Sequence, residues 1–348
     1  MDEIVDVCAH AWTICELIYD IIVIPKYGVY HKDLFTSQDA ANSLWAAATL
    51  HVSDVFVIDT LVQAFLEHIE LCKVQEAVNA LWSLATLGVS DADVISAILH
   101  GCLDRAHGFQ AQQAANALWA VASLGVHEKE VISVLAKACF YRAGDFNQQE
   151  ASNALWSAAV LNISDTAVTQ RLASSVSERY LSITRFDQAQ QCLQAHYSGI
   201  NLPEEVIQHC HVVVQTRTEP YRKSKSHLAV SAALTRLGYS PRLEVPVFNG
   251  VVTTDLVIEM PCSDSSGRLI KVSIEFDGPK HYLRPAMGSR DLVGPIDGKT
   301  RLRNALLKRS GQFEMLITIP FYEWDEVEGK MEREEEYLKR KLSEGVKG

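Results

Sequence analysis

Apolar and polar positions recur with a fixed period along the front half of the chain. Four segments align without gaps and share the pattern Q-x-x-x-N-x-L-W, so that their tryptophans lie 37 residues apart. A degenerate fifth unit follows near residue 187, and DEIVDVCAHAW at the start resembles the second half of a unit. Self-similarity at this period predicts stacked helical repeats. The segments begin at Gln38, Gln75, Gln112 and Gln149, and their tryptophans are Trp45, Trp82, Trp119 and Trp156.

Each repeat is predicted to consist of two helices joined by a turn. The alanine-rich first helix is expected to stop near Gly88 or Gly125, or at their counterparts His51 and Asn162. Ser-Asp pairs then provide N-caps for a second helix, in which apolar residues recur at i, i+3, i+4 and i+7. The capping pairs are Ser53-Asp54, Ser90-Asp91 and Ser164-Asp165, and the expected core leucines are Leu44, Leu81, Leu118 and Leu155.

Gln, Asn and Trp share one face of the first helix, because they lie at offsets of 0, 4 and 7. In one interpretation, this polar face hydrogen-bonds RNA bases and stacks them on tryptophan. In the other, it is an inter-repeat hydrogen-bond ladder with a buried tryptophan, and the identity of these residues in every repeat favours this structural role. The asparagines that are candidates for RNA contact are Asn79, Asn116 and Asn153.

From about Ser224 the pattern changes to that of a mixed α/β domain. A helix ending at Gly238 precedes RLEVPVFNG and VVTTDLVIEM, whose alternation and Asn-Gly turn predict a β-hairpin. LIKVSIEF and FEMLITIP predict two further strands, with the helix TRLRNALLKRSG between them. One long charged helix is expected from FYEWDEV to KLSEG. The predicted order is αβββαβα.

Composition narrows the class of protein. The 348 residues suggest two or three domains, and 48% apolar residues suffice for a core. Eight singly scattered cysteines are typical of structural thiols in a reduced compartment. No apolar run reaches the roughly 18 residues that a membrane span requires, and no clear presequence is recognised. Residues 1–200 carry 22 Asp and Glu against 10 Lys and Arg, a balance that disfavours simple binding of phosphates.

Two resemblances follow from these motifs. The 37-residue helical pairs with an ALWALA-like first helix resemble the heptatricopeptide and octotricopeptide repeats, which bind organellar RNA. The motifs D-L-V-I, I-E-F-D-G-P-x-H-Y, D-G-K-T-R-L-R-N-x-L-L and I-P-F-Y-E-W resemble the RAP domain, which is named for RNA binding. That domain is similar to the very-short-patch-repair branch of PD-(D/E)xK nucleases. The expected architecture is multidomain: an all-α solenoid over 1–202, a connector over 203–223 and a RAP domain over 224–348.

The nuclease resemblance gives the stretch IEFDGPKHY a candidate chemistry. Asp255 and Glu275 on adjacent strands could bind Mg²⁺, and Asp277 points the same way as Glu275 because residues i and i+2 of a strand share a face. The usual lysine of the motif is replaced by Asp277, and His281 could serve as the base. The candidate catalytic residues are thus Asp255, Glu275, Asp277 and His281, with Mg²⁺ as cofactor only if the site is active. Phosphate binding without chemistry, or pairing of the carboxylates with Lys or Arg in a structural role, are the alternatives.

Basic side chains near this stretch and near the connector are candidate RNA contacts. They are Lys280, His281, Lys299, Arg301, Arg303 and Lys308, together with Arg222, Lys223 and Lys225.

The resemblances imply an organellar RNA-binding protein, mitochondrial rather than plastid, acting on ribosomal or messenger RNA. The acidic front half favours a component or assembly and stability factor of a mitochondrial ribosome, with RNA and ribonucleoprotein subunits as partners and no membrane. A metal-dependent RNA endonuclease that uses the carboxylate site is the first alternative. A protein-only adaptor that binds partners through the acidic solenoid is the second.

Overall fold

The computed structural model describes residues 35–103, 105–216, 224–262, 268–285 and 293–345. By compactness the chain divides into two units: unit 1 spans Met1–Ser175 and Leu283–Asp297, and unit 2 spans Val176–Tyr282 and Gly298–Gly348. The half repeat predicted at the start of the chain lies outside the described residues.

Unit 1 is built of helical pairs at the predicted period. The first helices α1, α3, α5 and α7 pack on one another in succession, and each of the first three also packs against the second helix of its own pair. This arrangement confirms the helical-repeat prediction. The helices are α1 Ser37–Thr49, α2 Val55–Glu67, α3 Val74–Leu87, α4 Ala92–Leu103, α5 Ala111–Leu124, α6 Lys129–Arg142, α7 Gln148–Val160 and α8 Thr166–Ser177, the last of which ends in unit 2.

The helix boundaries of unit 1 follow from turn and cap chemistry. Gly88 and Gly125 end α3 and α5 with φ of 71° and 67°, and His51 and Asn162 adopt the same left-handed region where glycine is absent. In the Ser-Asp pairs the aspartate is the capping residue. Asp91 Oδ1, for example, accepts hydrogen bonds from the backbone N–H groups of Asp93 and Val94, each at 3.1 Å. The same role falls to Asp54 and Asp165.

Small and branched apolar residues alternate in the core of unit 1. The four predicted core leucines are at most 1% exposed, and the alanine four residues earlier is buried in every repeat, which allows the first helices to approach closely. The segment Leu283–Asp297 also belongs to this unit. The backbone N–H of Arg284 donates to Gly88 O at 2.6 Å, and that of Ser90 donates to Arg284 O at 3.1 Å.

Unit 2 is a four-stranded mixed sheet with helices. The strand order is β1-β2-β3-β4; β1 to β3 are antiparallel neighbours, and β4 runs parallel to β3. This confirms the predicted α/β class. The elements are α9 Phe186–Ser198, α10 Glu204–Gln215, α11 Lys225–Arg236, β1 Arg242–Val247, β2 Val252–Pro261, β3 Leu269–Asp277, α12 Gly298–Arg309, β4 Met315–Pro320, α13 Phe321–Asp325 and α14 Met331–Gly345.

The core of unit 2 lies between the sheet and the helices α11 and α14. Inward residues of β2, β3 and β4 pack with Leu234 of α11 and Leu338 of α14. Trp324 is 0% exposed, and its ring meets that of Tyr337 edge-on at 6.0 Å. This core holds the ends of β2 and β3 in a fixed register, which positions the carboxylates described below.

Two sequence expectations differ from the structure in unit 2. The predicted single C-terminal helix is two helices, α13 and α14, because the chain turns at Gly329 with φ of 79°. The segment predicted as a connector contains helix α10, which packs with α9. Moreover, α9 packs on α12 in this unit, and Gln190 Nε2 donates to Val251 O at 2.8 Å. The domain boundaries at 202 and 223 stay a prediction.

None of the helices in the described ranges is long and apolar enough to cross a membrane. The cysteines in these ranges are free thiols, mostly buried: Cys72, Cys102, Cys139, Cys192, Cys210 and Cys262.

Candidate functional site

Three carboxylates converge in unit 2 where β2 begins and β3 ends. Asp255 lies on β2, and Glu275 and Asp277 lie on β3, whose last residues pair in parallel with Thr318 to Pro320 of β4. Asp255, Glu275 and Asp277, which we call the carboxylate cluster, are 5%, 0% and 2% exposed. Burial of three acids is costly unless hydrogen bonds and opposite charges compensate it.

Arg303 of α12 supplies the opposite charge. Its Nε lies 3.1 Å from Glu275 Oε2, an ion-pair contact without hydrogen-bond geometry, and its Nη2 donates to Asp277 Oδ1 at 2.6 Å. The side chain of Arg303 is only 16% exposed. Asn304 Oδ1 accepts two further hydrogen bonds from the guanidinium, at 3.1 and 2.9 Å. The geometry thus corresponds to the structural alternative, in which the carboxylates pair with an arginine.

Backbone groups of the strands donate to one oxygen of Glu275 and one of Asp255. The Asp255 N–H donates to Glu275 Oε1 at 3.2 Å, and the Phe276 N–H donates to Asp255 Oδ2 at 2.8 Å. Asp255 therefore bonds to β3, and Glu275 bonds to β2. The cluster ties β2 to β3 in addition to their ladder of backbone hydrogen bonds.

The pKa values of the two carboxyl groups of β3 are shifted in opposite directions. Burial, together with the Asp255 charge and against the attraction of Arg303, raises the pKa of Glu275 to about 8. Burial also acts to raise the pKa of Asp277, but the hydrogen bond from His281 and the charge and hydrogen bond of Arg303 outweigh it, so that this pKa is lowered. Asp277 is consequently the ionised partner of Arg303 at neutral pH.

The predicted Mg²⁺ site does not fit this arrangement. Mg²⁺ demands near-octahedral oxygen ligands and usually retains several waters. Here Glu275 is fully buried and faces the guanidinium, and one oxygen of Asp255 accepts a backbone hydrogen bond. The cation next to Glu275 and Asp277 in the structure is Arg303. Catalysis by Asp255, Glu275, Asp277 and His281 stays a hypothesis.

Sequence reasoning missed a second cluster, around His227 at the start of α11. Its Nδ1 lies 3.3 Å from Glu244 Oε1, and its Nε2 lies 3.5 Å from Asp255 Oδ2. Among the described residues, these three form the group whose potential metal-ligand atoms lie within 4.8 Å of one another. The two ring nitrogens face different carboxylates, and the Nδ1 contact with Glu244 has hydrogen-bond geometry. Glu244 has φ of 54° inside β1, a left-handed backbone conformation for which the sequence carries no signal.

The predicted basic contacts are distributed over unit 2. Lys280 and His281 follow β3 in a short turn, and the others lie on α12 or at the start of α11. Lys225, Lys280, Lys299 and Lys308 are exposed, whereas His281, Arg301 and Arg303 are partly buried. Arg222 and Lys223 lie outside the described residues.

The polar face of the first helices is open to solvent in unit 1. Gln38, Gln75, Gln112 and Gln149 are exposed, and Asn79, Asn116 and Asn153 are half-buried. Among the described residues, none of these side-chain amides forms a hydrogen bond, so the alternative of an inter-repeat ladder is not realised. Trp45 is 40% exposed and Trp156 is 4% exposed. The rings of Trp82 and Trp119 are 6.3 Å apart and inclined by 33°.

Sequence reasoning also assigned no role to three aromatic residues near His281. Tyr282 follows the turn after β3, and Phe321 and Tyr322 follow β4. Their ring centroids lie 5.6 to 5.8 Å apart in tilted or edge-to-face contacts. We call these three residues the aromatic corner. The sequence signal for it was the aromatic pair in I-P-F-Y-E-W.

Comparisons with known proteins agree with this architecture. A comparison with curated proteins finds no match. Residues 274–341 match a family model described as the RAP domain, a range that holds Glu275, Asp277, Arg303 and the aromatic corner. Residues 274–341 therefore match a RAP domain, and they follow a series of helices consistent with helical repeats.

Proposed function

We propose that this protein is an organellar RNA-binding protein acting on mitochondrial ribosomal or messenger RNA, as a component or an assembly and stability factor of a mitochondrial ribosome. The RAP domain suggests RNA binding. The observation that carries the proposal is the polar face of unit 1, where amide side chains recur on successive first helices and form no hydrogen bonds within the described part of the chain.

Unbonded amides at a fixed spacing are suited to unpaired bases. An Asn side chain offers both a donor and an acceptor, and can therefore contact the Watson–Crick edge of any base. The tilted pair Trp82 and Trp119 adds aromatic surface beside Asn79 and Asn116 on the same helices. Because the same residues recur in each repeat, we expect contact with single-stranded RNA of broad sequence rather than a code of one base per repeat.

The charge of the front half supports the assembly aspect of the proposal. With 22 acidic against 10 basic residues, residues 1–200 lack the excess of Lys and Arg that drives RNA binding by phosphate neutralisation. Their affinity for RNA would therefore be weakly dependent on salt and would gain from neighbouring contacts. An acidic surface also complements basic ribosomal proteins.

Truncation of the three asparagines tests whether the polar face binds RNA. We expect the full chain with Asn79→Ala, Asn116→Ala and Asn153→Ala to bind a single-stranded RNA pool about tenfold more weakly or worse, because each lost hydrogen bond is worth about 0.5–1.5 kcal/mol. Fluorescence anisotropy measures the affinity. The matched control truncates exposed amides on second helices, Gln63→Ala with Gln170→Ala, and should bind like the wild type.

Cross-linking of the tagged protein in cells tests which transcripts the protein binds. Ribosomal or messenger RNA of mitochondria in the recovered fraction would support the proposal, with linked peptides from the first helices or the RAP domain. Recovery of no RNA would overturn it in favour of the protein-only adaptor. If the asparagine variant binds RNA as tightly as the wild type, the polar face is excluded as the RNA site.

A further inference from the structure

We propose that the aromatic corner, with His281 and Lys280, forms a subsite for one unpaired ribonucleotide, whose base stacks on Tyr322, whose 2′-hydroxyl bonds to His281 and whose phosphate lies near Lys280. This inference rests on the proposed RNA binding and assigns a recognition mode to one part of unit 2.

The location of the corner follows from the sheet. β3 and β4 are parallel neighbours, and their last residues, Asp277 and Pro320, are register partners. The chain leaves both strands at the same edge, so that the turn with Lys280 and His281 and the start of α13 come together there. The carboxyl ends of adjacent parallel strands are a recurrent place for ligands in open α/β sheets.

The aromatic side chains provide a supported stacking surface. Tyr322 is 42% exposed, whereas Tyr282 and Phe321 are partly buried. Tyr282 meets the rings of Phe321 and Tyr322 at 5.7 and 5.8 Å, and the latter two meet at 5.6 Å with an interplanar angle of 84°. Such edge contacts fix the Tyr322 ring without covering it. An exposed, supported aromatic ring is what proteins use to stack an unpaired base.

The buried Asp277 orients the imidazole of His281. Asp277 Oδ1 lies 3.0 Å from His281 Nδ1, and because an ionised carboxylate only accepts hydrogen bonds, we assign the proton to Nδ1. Arg303 Nη1, 3.1 Å from the same nitrogen, then makes only a close contact, since it cannot donate to a protonated Nδ1.

The opposite ring nitrogen of His281 is available to bind a ligand. His281 Nε2 makes no hydrogen bond to any residue in the described ranges, and the side chain is 32% exposed. With the proton on Nδ1, a neutral imidazole presents a hydrogen-bond acceptor at Nε2. A phosphate oxygen cannot donate to it, whereas the ribose 2′-hydroxyl can, and this group distinguishes RNA from DNA.

The charges around the corner permit a phosphate. Lys280 is exposed on the same turn. Glu323, next to Tyr322, lies 2.8 Å from Lys341 Nζ and accepts a hydrogen bond from the Tyr337 hydroxyl at 2.9 Å. The two acids of β3 face Arg303. The carboxylates nearest to the corner are therefore compensated, and Lys280 remains as the exposed cation on the turn.

Substitutions in the full chain test the subsite with a single-stranded RNA pool and its DNA counterpart as probes. We expect Tyr322→Ala to weaken RNA binding about fivefold or more, and Tyr322→Phe to retain it, because stacking needs only the ring. Tyr141→Ala removes a tyrosine that is 73% exposed in unit 1 and should have no effect. His281→Phe is expected to reduce the preference for RNA over DNA, because it removes the acceptor.

The outcomes separate this inference from the proposed function. Ultraviolet cross-links that map to the peptide with Tyr322, together with the two expected losses, would support the subsite. Equal RNA affinity of Tyr322→Ala and Tyr141→Ala, or an unchanged RNA-to-DNA ratio in His281→Phe, would overturn it while leaving the asparagine result to decide on the polar face. Absence of RNA binding in the wild type would overturn both.

Discussion

Replacement of Arg303 by methionine is expected to destabilise the β3 region of unit 2 by about 3–5 kcal/mol. The guanidinium is the cation that faces both Glu275 and Asp277, and each carboxylate is at most 2% exposed. Its removal leaves buried charge without compensation, and protonation of Glu275 relieves only part of the cost. Amide hydrogen exchange over Leu269–Asp277 measures the local free energy of opening.

A matched control and a rescue make this experiment specific. Lys308→Met changes an exposed cation on the same helix and should alter exchange of β3 by less than about 0.5 kcal/mol. Adding Glu275→Gln to Arg303→Met removes one uncompensated acid and should restore part of the lost protection, as expected for groups that interact directly. Wild-type protection of β3 in Arg303→Met would show that the ion pairs contribute little to the stability of the unit.

The second large effect is a dependence of stability on pH that comes from Glu275. Its pKa is raised from 4.5 to about 8 by burial and by Asp255. Between these values the folded state binds more protons than the unfolded chain, so the stability that the protonated group contributes is complete below about 4.5 and is lost as the pH rises through about 8. Asp277, whose pKa is lowered, contributes in the opposite sense, with a loss only at acidic pH.

We therefore expect the free energy of opening of β3 in the wild type to fall by roughly 1–3 kcal/mol between pH 5 and pH 8, since one pKa unit corresponds to about 1.4 kcal/mol. In Glu275→Gln, which has no proton to lose at this position, the decline should largely disappear. Hydrogen exchange, corrected for the intrinsic pH dependence of amide exchange, measures the free energy of opening in the wild type and in the variant. Glu259→Gln, an exposed acid on β2, should retain the wild-type slope. An equal slope in Glu275→Gln would contradict the raised pKa.

These expectations concern the acids that the resemblance to nucleases singles out. Asp255 and Glu275 lie on adjacent strands, as the resemblance implies. Arg303 comes from a different element and faces both carboxylates of β3, so the acids bind a side-chain cation and link the ends of two strands. His281, by contrast, contacts Asp277 through Nδ1, and its Nε2 makes no hydrogen bond within the described ranges.

The repeat, the four strands in their order along the chain and the strands that carry the acids were evident from the amino-acid sequence alone, because they depend on local periodicity. A 37-residue period with Gly88 and Gly125 as stops specifies helical pairs, and alternation around an Asn-Gly turn specifies a hairpin. The identity of residues across repeats, however, could not distinguish a hydrogen-bond ladder from an open face. Only the distances between stacked helices decide whether neighbouring amides can reach one another.

The partners of the acids were decided by tertiary structure. Arg303 stands 26 residues after Asp277, and His227 stands 28 residues before Asp255, so no local spacing links them. The packing of α11 and α12 on the sheet brings these side chains to the carboxylates, and a fourth acid, Glu244 of β1, lies beside His227. A sequence pattern reports which groups share a strand or helix face, whereas the choice between a metal ion and an arginine depends on contacts between elements that fold together.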